Sequence, residues 1–84
     1  MKKVKFPFPV FTTKEGKWFV SECPVLSIAT QGRTEKEVKE NMIDLIKEYL
    51  ADPDTPKRQI NELASSSLSY ISVPVASDLL YGQA

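Results

Sequence analysis

Three observations predict a small two-layer α+β domain of the order β-β-β-α-β. Apolar residues alternate with strand periodicity toward the N-terminus, one helical stripe occupies the middle of the chain, and alternation returns between Leu68 and Val75. Single-layer alternatives fail because each of these faces needs another element to cover it.

The first alternating run places Val4, Phe6, Phe8 and Val10 on one face between Lys3 and Thr12, with Lys5, Pro7, Pro9 and Phe11 on the other. Two prolines on one face remove two backbone donors, so this strand is expected at a sheet edge or bulged near Pro7. Lys14, Glu15, Gly16 and Lys17 then form a polar connection whose glycine accepts positive φ, and Trp18, Phe19 and Val20 follow at once, as in a hairpin. Trp18 and Val20 share one face and Phe19 and Ser21 the other, with Pro24 ending or bending the strand. A short third strand is expected around Ser27 to Thr30.

Gly32 breaks the chain, and Thr34 to Glu37 fits a capping box in which the Thr34 hydroxyl accepts from the Glu37 amide. Beyond it Val38, Met42, Leu45, Ile46 and Tyr49 recur at helical spacing, predicting a helix from Thr34 to about Leu50. Pro53 and Pro56 oppose its continuation. Residues 57–65 admit a short helix with Ile60 and Leu63 inward, and Leu68 to Val75 reads as a last strand, shortened or placed at an edge by Pro74. If that strand is parallel to an earlier one, its connection is right-handed. The tail at 77–84 carries Leu79, Leu80 and Tyr81, which are too apolar for solvent, so it is expected to dock on its own domain or on a second copy.

At 84 residues the whole chain, 1–84, forms one domain, which buries only about two-thirds of the surface its unfolded form exposes. Cys23 is the single cysteine, so no disulfide closes within the chain and packing or oligomerisation must stabilise the fold. Eleven basic residues balance eleven acidic ones without a continuous basic run, which gives nucleic-acid binding little electrostatic support. No histidine is present, so the commonest general base and metal ligand are missing. Pro7 and Pro9 interrupt any signal-like apolar segment after the N-terminal lysines, and no run reaches bilayer-spanning length, so a cytoplasmic location is expected.

Each residue with chemical potential has a structural reading beside it. Cys23, without a base and next to Pro24, reads as a small buried hydrophobe. Gly32 lacks the companions of a phosphate-binding loop and reads as the turn before a capped helix. Glu35, Glu37, Glu40, Asp44 and Glu48 interleave with lysines as a solvated helix face. Phe6 and Phe8 read as core, whereas Phe11 and Phe19 are candidates for a partner-facing patch. No catalytic residue, metal site or cofactor is expected, and the reading is a binding module, not an enzyme.

Taken in order, Trp18, Phe19 and Val20, then Pro24 and Leu26, Thr30, Gln31, Gly32 and Thr34, and Glu37, Asn41, Ile46, Tyr49 and Leu50 form a pattern that resembles the HicB-like antitoxin family. The resemblance runs from Phe8 to Leu50. It implies a partial RNase H-like fold: a three-stranded antiparallel meander, one main helix and a fourth strand parallel to the first. It also implies an antitoxin that covers the active site of a small HicA-type mRNA-cleaving toxin and self-associates as a homodimer or larger homo-oligomer.

The chain departs from the family pattern in two places. Ser27 and Ile28 replace the usual Pro-Gly-Cys turn, and no helix-turn-helix or ribbon-helix-helix segment follows the last strand, which argues against a separate DNA-binding domain and direct DNA contact. Neither outer strand carries the converging carboxylates that two-metal nuclease chemistry needs. Phe11, Phe19 and Ile28 are the expected partner-interface residues. The alternative is a solitary homo-oligomeric structural or regulatory domain with no toxin partner.

Overall fold

A computed structural model describes residues 3–54 and 58–82. Strands β1 (Phe11–Glu15), β2 (Trp18–Cys23) and β3 (Ile28–Gly32) form an antiparallel meander in that order, and helix α1 (Glu35–Ala51) packs on one face of it. Two short helices follow, α2 (Arg58–Ala64) and α3 (Ser77–Tyr81). The fold is therefore α+β, with a three-stranded antiparallel sheet and one main helix.

The β1–β2 hairpin closes through Gly16 and Lys17, because Glu15 pairs with Trp18 and Phe11 with Glu22. Gly16 takes φ +63° at the first turn position and Lys17 does not, the arrangement of a type II′ turn. The first strand starts later than its alternation predicts. Lys3 to Val10 forms no strand, since Pro7 and Pro9 withhold the donors that pairing needs and the ladder begins only beyond them. Phe6 and Phe8 are nonetheless half-buried, with ring centroids 5.1 Å apart in an edge-on arrangement, and Phe8 packs on the core.

Pro24–Leu26 forms a 3-10 turn between β2 and β3, closed by Ser27, whose N–H donates to the Pro24 carbonyl at 3.1 Å. Ser27 adopts φ 56° and ψ 42°, a left-handed conformation that costs an L-residue about 1–2 kcal/mol. Cys23 pairs with Ile28 and Phe19 with Gly32 across the next ladder.

Helix α1 begins as its capping residue predicts. The Thr34 hydroxyl accepts from the Glu37 N–H at 3.0 Å, and Glu35 and Glu37 stand in the first turn, where the helix dipole favours acidic groups. Asp52 ends the helix and its carboxylate accepts from the Asp54 N–H at 2.9 Å. Asn41 ties the helix to the sheet by donating from Nδ2 to the Gln31 carbonyl at 2.9 Å. Gly32 makes the close approach possible: a Cβ there would stand 2.7 Å from the Val38 nitrogen.

The core lies between α1 and the β2–β3 half of the sheet. Cys23, Leu26, Val38 and Met42 are buried, with Phe8, Val25, Ile28, Ile46, Tyr49 and Ile60 packed around them. Ser21 is also buried, and its hydroxyl is satisfied by Thr12 Oγ1 at 3.1 Å. Every residue of β1 is exposed, because α1 lies over its neighbours and leaves this edge strand uncovered.

Leu68 to Val75, expected as a fourth strand parallel to the first, pairs with nothing among the described residues and forms neither strand nor helix. Its alternating pattern specifies a two-faced segment but no partner edge, and Pro74 removes one donor from any ladder. The radius of gyration is 15.9 Å, against about 12 Å for a compact domain of this length. The expected short helix at 57–65 is present as α2, with Ile60 and Leu63 half-buried. Expectations that touch residues 1–2, 55–57 and 83–84 lie outside the described residues.

Candidate protein-binding surfaces

Strand register divides the side chains into two faces. Thr12, Lys14, Phe19, Ser21, Cys23, Ile28 and Thr30 point toward α1, whereas Phe11, Thr13, Glu15, Trp18, Val20, Glu22, Ala29 and Gln31 point away from it. No second layer covers the outer face among the described residues.

The outer face combines apolar and acidic groups. Phe11 is 65% exposed, Trp18 is also exposed, and Val20 between them is half-buried. Glu15 and Glu22 stand exposed at the two ends of the same face, paired opposite Trp18 and Phe11. The Arg33 guanidinium lies 5.4 Å from the Trp18 ring centroid, which fixes the indole by a cation–π contact. An aromatic pair flanked by carboxylates suits a protein surface that is basic around an apolar centre.

The helix side contains the second surface. Because α1 leaves β1 uncovered, a groove of about 1080 Å³ opens between them. Phe8, Phe19, Met42 and Ile46 line its apolar part, and Lys14, Lys36, Lys39 and Lys47 stand along it. Lys14 Nζ lies 5.8 Å from the Phe19 centroid. Ile43 and Leu50, a heptad apart, extend the apolar wall beyond the predicted helix stripe and are themselves exposed.

The expected interface residues are separated by this geometry. Phe11 lies on the open outer face, in a position to meet a partner. Phe19 belongs to the opposite face, because it shares the side of β2 that carries buried Ser21 and Cys23, and it lines the groove. Ile28 is half-buried against the core, opposite Cys23. Trp18 was not among the expected residues; its alternation with Phe19 defined two faces, but only the buried Ser21 and Cys23 show which one turns inward.

Cys23 is fully buried, and burial pushes its thiol above the ordinary value, an effect that outweighs the hydrogen bond from the Leu26 backbone. It acts as a core residue, as predicted. Gly32, expected as the turn before the helix, is instead the last paired residue of β3, where the missing Cβ permits the close strand–helix approach. Among the described residues, no group of three or more His, Cys, Asp or Glu side chains is placed to hold a metal ion, and no helix is long and apolar enough to cross a membrane. The chain matches no protein-family model, no curated protein and no solved structure.

Proposed function

We propose that this chain is a protein-binding module of the HicB-like antitoxin type, not an enzyme, and that it sequesters a small HicA-type mRNA-cleaving toxin by covering the toxin's active site. The observation that carries this reading is the uncovered outer face, where Phe11 and Trp18 are flanked by Glu15 and Glu22. A ribonuclease that binds the phosphate backbone is basic around its active site. An acidic-rimmed aromatic patch engages such a surface, with steering by the carboxylates and anchoring by the aromatics.

The meander and its single helix supply the first four elements of the β-β-β-α-β order, which supports the partial RNase H-like arrangement. On this reading Leu68–Val75 supplies the fourth strand along the β1 edge of a second copy, and the module works in the cytoplasm as a homo-oligomer. The alternative of a solitary homo-oligomeric domain draws its support from the same exposed C-terminal segment.

The experiment is co-purification of the chain with any small basic protein found to be encoded beside it, with RNA cleavage as the readout. Phe11→Ala and Glu22→Lys are expected to leave the domain folded and to weaken capture at least about thirtyfold each, the scale of an interface anchor worth about 2 kcal/mol. Unchanged capture by both variants would reject the outer face as the binding surface.

A further inference from the structure

The groove and the C-terminal segment fit each other. At about 1080 Å³ the groove stands at the upper end of small-molecule pocket volumes and is open along its length. One lip is the β1 strand edge, with backbone donors and acceptors unpaired on its outer side, so an added strand suits it better than a compact ligand does. Its apolar lining is bordered by four lysines, Lys14, Lys36, Lys39 and Lys47, and one carboxylate, Glu35.

The segment has the complementary character. Every large apolar side chain from Leu68 to Tyr81 is exposed, Tyr70 at 91% and Ile71 at 84%. Contiguous exposure of this kind marks an interaction surface. In an extended backbone Ile71, Val73 and Val75 fall on one face and Leu68 and Tyr70 on the other. Asp78 is the only charged residue between Ser65 and Gly82, so the segment brings no positive charge to the lysines.

We propose that the groove is filled by this arm from a second copy of the chain. Leu68–Val75 of each protomer lies along the β1 edge of the other, with Ile71, Val73 and Val75 turned into the groove, in a reciprocal two-fold dimer. The arm projects from the body without covering the groove of its own chain, and the molecule measures 54 Å along one axis against 30 and 20 Å along the others. Reciprocal exchange closes the assembly at two chains, because both arms and both grooves are then occupied. At roughly 100 Å² per side chain, Ile71, Val73 and Val75 of the two arms remove about 600 Å² from water and the groove walls they cover a similar area, about 1,200 Å² in the pair, the lower end of the size of a stable interface. This assembly stands on the arm and the groove alone, whether or not a toxin is captured, and leaves the outer sheet face open.

Light scattering of the full chain at tens of micromolar tests the exchange. The expected mass is that of two chains. Ile71→Asp combined with Val73→Asp disables the arm, and Ile43→Asp disables the groove; each variant is expected to run as one chain with its helix signal retained. If Ile43→Asp fails to fold, Leu50→Asp, one heptad along the same apolar wall and exposed, takes its place. Mixing the arm variant, which keeps its groove, with the groove variant, which keeps its arm, restores one of the two contacts, so a one-to-one pair is expected at protein concentrations well above those that dimerise the parent chain. A monomeric parent chain, as results when the arm docks in its own groove, overturns the proposal. So does an arm variant that still dimerises, or a mixture of the two variants that stays monomeric.

Discussion

Replacing Gly32 by alanine tests the junction on which the two layers depend. The added Cβ would stand 2.7 Å from the Val38 nitrogen, 3.0 Å from its Cα and 3.2 Å from the Glu37 carbonyl carbon. All three are backbone atoms of the first turn of α1, so no side chain can rotate aside, and the helix must retreat by about 0.7 Å to reach ordinary contact. That retreat loosens the Asn41–Gln31 hydrogen bond and the packing of buried Val38. Overpacking costs about 1–3 kcal/mol. The stiffer unfolded chain returns about 0.4–1 kcal/mol, leaving a net loss of about 1–2 kcal/mol. For a domain of this size the melting temperature falls by about 5–15 °C. Circular dichroism melts at one fixed protein concentration give the comparison, because any self-association would make the melting temperature depend on concentration. A variant as stable as the parent would refute the claim that Gly32 is required by close approach.

The remaining predictions concern single positions. Ser27→Gly relieves the left-handed strain and is expected to raise stability by about 0.5 kcal/mol after the added freedom of the unfolded chain is counted, whereas Ser27→Val lowers it; equal melts for the two would reject the strain. Because burial holds the Cys23 thiol protonated above its ordinary value near 9, the folded state binds more protons than the unfolded state at alkaline pH. Stability is therefore unaffected by this group at lower pH and declines as pH rises past about 9, a loss that Cys23→Ala removes from the difference between pH 8 and pH 10 denaturation curves. The same burial makes native alkylation slower than that of the denatured chain by on the order of a hundredfold or more; comparable rates would place the thiol at the surface.

The sequence specified those parts whose signals are local. Thr34 and Glu37 mark the start of α1 by a contact three residues apart, and Val38, Met42, Ile46 and Tyr49 mark its inward face. Gly16 specifies the hairpin in the same local way. Errors arose where the decisive information was in a distant partner. Alternation from Val4 to Val10 is strand-like, yet pairing depends on backbone donors that Pro7 and Pro9 do not offer. Phe19 and Trp18 alternate, and the sequence does not say which faces the helix until Ser21 and Cys23 are placed beneath it. Leu68–Val75 has the pattern of a strand, but nothing in that pattern names the edge it pairs with. The groove was illegible for a related reason: it exists because α1 lies over β2 and β3 and not over β1, an offset between layers that no local pattern encodes.

The most direct measurement is a titration of RNA cleavage by a HicA-type toxin, sought as any small basic protein encoded beside this chain, with the purified full chain added in steps. The account predicts that cleavage falls linearly and is abolished near one chain per toxin, and that Phe11→Ala shifts the endpoint to a large excess. Cleavage that persists at tenfold excess of the parent chain would contradict it.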